Sequence, residues 1–116
     1  MKISILLPYK ENFTPNYAGA VSLFVNDITK KSFYKDDIYI FGNTKSKIKL
    51  SNNYINLNIN KKIFQSTSKQ YVQTFLKHQN KINSDLIEVH NRPNYIKLIK
   101  KQFRDKIILY FHNDPL

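Results

Sequence analysis

The sequence predicts an α/β fold built on a mainly parallel sheet with helices on both faces. Two observations carry that expectation. Apolar runs of strand length recur along the chain, and segments with helical spacing fall between them. Strands alternating with helices favour parallel pairing through right-handed crossovers.

The first element is "KISILL", residues 2–7, an unalternating apolar run ended by Pro8, as suits a strand covered on both faces. Val21, Phe24, Val25 and Ile28 recur at i, i+3, i+4 and i+7, one face of a helix starting near Gly19. "DIYIFG", 37–42, reads as the second strand. "NYINLNI", 53–59, alternates well enough for a third, nearer a sheet edge, whereas "NTKSKIKLSN" before it gives no clear pattern. A long helix is expected over about 63–82, with Tyr71, Val72, Phe75 and Leu76 on one side and Ser66, Thr67 or Ser68 available as a cap. "DLIEV", 85–89, is another buried strand, Pro93 opens a helix carrying Ile96, Ile99 and Phe103 on one face, and "KIILYF", 106–111, is the last strand. No internal repeat or linker breaks this order. The chain reads as a single domain over 1–116, and it stops directly after a strand where the pattern calls for a covering helix, so an interrupted domain is expected.

Composition narrows the function classes. A chain of 116 residues that is 41% hydrophobic and 14% aromatic is globular by content and long enough to bury roughly two thirds of its unfolded surface. The absence of cysteine excludes a disulfide framework, a thiolate metal site and thiol redox chemistry, and it fits a reducing cytoplasm. Residues 1–8 are too short for a membrane span or a secretory segment. The formal charge of +11 invites a nucleic-acid or anionic-membrane reading, but the lysines are spread along the whole chain among many Asn and Ile, as codon bias alone would leave them. No specific nucleic-acid partner is therefore expected. Peripheral contact with an anionic membrane surface stays open, at the inner face of the cell membrane.

Ligands of open parallel sheets bind beyond the carboxyl ends of the strands. "PYKENFTPNYAGA" follows the first strand, "HNRP" the fourth and "HNDP" the fifth, so the chemistry-bearing residues collect at the edge where a site is expected. Gly19 opens the first helix, whose N-terminal N–H groups suit an anion; the alternative is that it only eases the turn. Neither a dinucleotide fingerprint nor a Walker loop is present. His90, Asn91 and Arg92 offer a titratable ring, an amide and a fixed cation within one turn, unless they simply form the loop that caps the next helix. His112, Asn113 and Asp114 repeat the theme one strand on. A metal held by His90, His112 and Asp114 matches no known spacing, a Ser-His-Asp hydrolase lacks its G-x-S-x-G elbow, and His78 lies within the long helix.

Taken together, "MKISILLPYKENFTPNYAGAVSLFVNDITKKS", "DLIEVHNRPNYIKLIKK" and "KIILYFHNDPL" resemble the N-terminal part of glycosyltransferase family 4 enzymes of the GT-B fold. The likeness spans nearly the whole chain apart from 43–65. It implies a Rossmann-like domain that mainly receives the acceptor and faces a C-terminal domain that binds most of the sugar nucleotide and is missing here. The activity implied is transfer of a sugar from a nucleotide-sugar donor to a polysaccharide or glycolipid acceptor with retention of configuration, with no cofactor and no obligatory metal. On this resemblance Gly19 and Ala20 approach the donor diphosphate and His112 sits near the transferred sugar as the catalytic residue. His90, Asn91, Arg92, Asn113 and Asp114 line the acceptor side. Many members have paired glycines in the first loop, where this chain has Ala18, Gly19 and Ala20. The isolated chain is expected to be inactive. The alternative is a non-enzymatic basic α/β module that binds a nucleotide, an anionic membrane surface or a partner protein.

Overall fold

The first strand of the chain lies at the centre of the sheet. In a computed structural model, which describes residues 1–60 and 65–112, β1 (Ile3–Leu6) is flanked by β2 (Ile38–Gly42) and β4 (Leu86–His90), with β3 (Tyr54–Asn56) and β5 (Lys106–Tyr110) at the edges. Every pairing is parallel, with Ile3 opposite both Ile38 and Leu86. The order β3-β2-β1-β4-β5 makes this a Rossmann-like α/β fold, with its reversal of strand order between β1 and β4.

Three helices complete the fold. Helix α1 (Ala20–Lys31) covers one face, packing Val21 and Val25 on Ile3, Ile5, Leu7, Ile38 and Ile40. Helices α2 (Thr67–Ile82) and α3 (Pro93–Lys100) cover the other, where Tyr71, Val72, Phe75, Leu76, Tyr95 and Ile99 close over Leu6, Phe41, Ile87 and Val89. The two layers follow from the alternation of side chains along each strand.

The expected elements are all present, most with shorter bounds. Residues 35–37 form a 3-10 turn before β2, and the third strand is only Tyr54–Asn56, at the edge as its weaker pattern suggested. The long helix begins at Thr67, because the Ser66 hydroxyl accepts from the Lys69 N–H, 3.1 Å away, and fixes the N-terminus there. Of its expected start, residues 63–64 lie outside the described residues. Helix α1 is rotated slightly from the expected face and buries Ser22 and Thr29 while Phe24 and Ile28 stay part-exposed. In α3 the buried residues are Tyr95 and Ile99, and Phe103 lies beyond the helix end. Among the described residues no helix is long and apolar enough to cross a membrane.

Candidate functional site

The loop from Pro8 to Gly19 is held from both sides of the sheet. On the α2–α3 side the Tyr71 hydroxyl donates to the Leu7 carbonyl at 2.7 Å, and the Tyr9 N–H donates to the Tyr95 hydroxyl at 3.1 Å. On the α1 side Phe13 is fully buried and stacks on Tyr54 with ring centroids 4.9 Å apart. Thr44, just past β2, donates to the Glu11 carbonyl and accepts from the Phe13 N–H. A loop pinned at this many points is an ordered wall, able to present side chains in fixed positions.

One of those side chains was not singled out by the sequence. Glu11 Oε2 accepts from the Ser22 hydroxyl at 2.7 Å and from the Ser22 N–H at 3.2 Å, so the chain's own carboxylate caps α1. Gly19 makes room for it, since a Cβ there would run into the Glu11 carboxylate. Its φ of −72° is open to any residue, so what glycine supplies is space for the Glu11 carboxylate in this position. The Gly19 N–H is used by the Asn12 carbonyl. Among the described residues, no hydrogen bond is made by the N–H groups of Ala20 and Val21.

Those two residues line an open cleft of about 410 Å³ together with Pro8, Tyr9, Lys10, Glu11, Asn91, Arg92 and His112. It lies at the reversal of strand order between β1 and β4, the place where this architecture binds ligands. A hollow of similar size, about 420 Å³, at the opposite edge is lined by Asn83, Ser84, Asp85, Arg104 and Asp105 among others. There Asn83 ends α2, so the nearby helix presents carbonyls. N–H donors from a helix start and the Lys10 and Arg92 cations, set against the single Glu11 carboxylate, favour the first cleft as an anion and polyol site.

The histidines expected at the carboxyl edge are brought together. His90 Nδ1 and His112 Nε2 are 2.7 Å apart, and the rings stack at 5.0 Å. Asn91 adopts a left-handed conformation with φ 57°, its N–H bonding the Tyr110 carbonyl and its Oδ1 accepting from the His112 N–H at 2.8 Å. The edge of Phe24 closes on the His112 ring at 4.8 Å. Arg92 donates to the Asn91 carbonyl and sits at the N-cap position of α3 with no side-chain cap. Thus Ala20, Asn91, Arg92 and His112 line the cleft, while His90 is completely buried and reaches it only through His112. Asn113 and Asp114 lie outside the described residues.

Burial decides the charge of the pair. It pushes His90 down to about 4, with His112 adding to the effect, and it lowers His112 too, against an opposing pull from Glu11. Both rings are uncharged at neutral pH. Glu88, on the same face of β4 two residues before His90, is pushed up by burial, and its Oε1 is 3.8 Å from His90 Nε2. Among the described residues no group of three or more His, Asp or Glu could hold a metal ion. Compared with protein-family models, curated proteins and solved structures, the chain finds no match.

Proposed function

We propose that this chain is the acceptor-side, N-terminal part of a retaining glycosyltransferase that moves a sugar from a nucleotide-sugar donor to a polysaccharide or glycolipid acceptor. The observation that carries the reading is the cleft at the strand-order reversal, where the start of α1, Arg92, Asn91 and His112 meet. When the bond between sugar and diphosphate breaks, negative charge grows on the phosphate and positive charge on the sugar. N–H donors and cations match the charge growing on the phosphate, and an uncharged imidazole adds no positive charge beside the sugar.

In this reading the Ala20 and Val21 N–H groups and Arg92 take the diphosphate, beside the Glu11 carboxylate that Gly19 admits. His112 faces the transferred sugar, and Asn91, with His90 behind His112, shapes the acceptor side. Glu11 limits how much of the α1 terminus a phosphate can use, so a second Rossmann-like domain supplies most of the donor contacts. The enzyme works in the cytoplasm, at the inner face of the membrane where a glycolipid acceptor lies.

Titrating the 15N-labelled chain with UDP- and GDP-sugars tests the reading. Reversible shifts of the Ala20, Val21, Asn91 and His112 amides are expected. Shifts confined to exposed lysines and erased by moderate salt would overturn it in favour of a basic module that only holds an anionic nucleotide, membrane or partner. In a transfer assay with a donor-binding domain present, His112→Ala lowers the rate by about tenfold to a thousandfold, a barrier change of roughly 1.4–4 kcal/mol. The folded state is expected to lose about 1–3 kcal/mol as well, because the buried His90 Nδ1 loses its hydrogen-bond partner, so the rates are compared well below the unfolding transition. A rate within about twofold of the parent at saturating substrates would remove His112 from the mechanism.

A further inference from the structure

His90 has the environment of a core residue and the connections of a site residue. It is 0% exposed, its Nδ1 meets His112 at 2.7 Å, and its Nε2 is buried with no hydrogen-bond partner among the described residues. The polar atom facing that nitrogen is Glu88 Oε1, 3.8 Å away. Glu88 and His90 point to the same side of β4 because they are two residues apart on a strand. The other ring contacts of the pair are aromatic: Tyr110 stacks on His90 at 5.3 Å, and Phe24 of α1 lies roughly perpendicular to His112. The Glu11 carboxylate, which lines the cleft, also acts on His112, from a distance at which no hydrogen bond forms.

Imidazole has two nitrogens, and in the neutral ring one donates while the other accepts. A lone pair on His90 Nε2 would face the lone pairs of a carboxylate across poorly solvated space; an N–H there points a positive dipole at it. The carboxylate therefore selects the Nε2–H form of His90. His90 Nδ1 is then an acceptor, and at 2.7 Å it can be satisfied only by a proton on His112 Nε2. That leaves His112 with a bare lone pair on Nδ1, its one remaining polar ring atom, in a residue that lines the cleft. Second-neighbour groups commonly fix a working histidine in this way.

We propose that Glu88 and His90 are positioning residues that hold His112 in its Nε2–H tautomer, so that His112 Nδ1 accepts a hydrogen bond from a ligand hydroxyl in the cleft. The inference rests on the glycosyl-transfer reading for the identity of that hydroxyl, a hydroxyl of the sugar or its acceptor. A lone pair at this point rejects a phosphate oxygen, which carries only acceptors. It thereby separates the sugar end of a donor from its diphosphate end, which goes to the N–H groups of α1. The neutral state of both rings agrees with the assignment.

The test is a two-bond 1H–15N correlation spectrum of the imidazole rings in the 15N-labelled chain near neutral pH. His90 and His112 are both expected to show a protonated Nε2 and a lone-pair Nδ1. In Glu88→Leu the single form of His112 is lost and an average of both tautomers appears; His90→Phe has the same effect on His112. A protonated Nδ1 on His112 in the parent chain overturns the proposal, as does a His112 tautomer unchanged in both variants. If Glu88→Leu does not fold, the parent spectrum and His90→Phe still decide. The readout needs neither donor nor turnover, so failure to bind sugar nucleotides would sink the transfer reading and leave this result to stand or fall by itself.

Discussion

Strand β4 has two faces with opposite characters. Ile87 and Val89 point into the layer closed by α2 and α3, where both are fully buried among Tyr71, Phe75 and Tyr95. Glu88 and His90, one residue out of step, point toward the α1 side. On that side the half of the sheet under α1 is isoleucine and leucine, while the half beyond it carries Glu88, His90, Ile108 and Tyr110, with Ile108 36% and Tyr110 38% exposed. The lesson is a division of labour within five residues. One face supplies the packing that holds the strand still, and the other can then hold polar groups in positions that a solvated loop could not fix.

That comparison breaks most sharply on the closed face. Ile87→Ala empties a well-packed site and is expected to cost about 2–5 kcal/mol of unfolding free energy in denaturant titration. A loss below about 1 kcal/mol would mean that the α2–α3 layer is less tightly packed than its burial implies.

The second effect belongs to the polar face and appears with acid. His90 titrates at about 4 in the folded chain against 6.5 in the unfolded one, so the unfolded state takes up the proton first. Its contribution to stability is complete above about pH 6.5 and drains away as the pH falls toward 4, reaching a loss of about 2 kcal/mol near pH 5. His112 is depressed as well and acts in the same sense. Unfolding curves across this range should slope accordingly in the parent, and His90→Phe should flatten them. Equal slopes in the two proteins would place the acid sensitivity elsewhere.

The smallest change sharpens the contrast. Ile108 lies opposite Glu88 in the sheet register and on the half-open side. Ile108→Ala, the same chemical deletion as at Ile87, should cost only about 0.5 kcal/mol, measured in the same titration. Similar losses at the two isoleucines would erase the difference between the faces.

Much of the fold was legible because strand and helix periods differ and few residues violate them. "KISILL", "DIYIFG" and "DLIEV" each fall on the strand they suggest, and the gathering of Gly19, His90 and His112 at one edge follows from strand direction alone. Boundaries were less legible where one side chain decides them, as Ser66 does for α2. Tyr95 escaped notice because its burial depends on the loop after β1, which supplies the Tyr9 N–H for its hydroxyl. Glu11 was invisible for a similar reason: nothing in "YKENFTPNYAG" shows that the loop folds back to lay this carboxylate on Ser22. Glu88 did leave a signal, a lone charge inside an apolar strand two residues before a histidine, which puts both on one face whatever the rest of the chain does.

The order β3-β2-β1-β4-β5 also sets when the cleft can come into being. The unit β1–α1–β2 joins residues about 35 apart, Ile3 with Ile38, whereas the seam between β1 and β4 joins Ile3 with Leu86. Closing the longer loop adds only about 0.6 kcal/mol per doubling of its length, but contacts between residues so distant along the chain form more slowly. The α1 half can therefore assemble as the chain emerges during synthesis, and the second half docks onto an existing edge of β1. Because the cleft straddles that seam, with Glu11 and Ala20 on one side and Asn91 and His112 on the other, it exists only once the chain has joined its two halves.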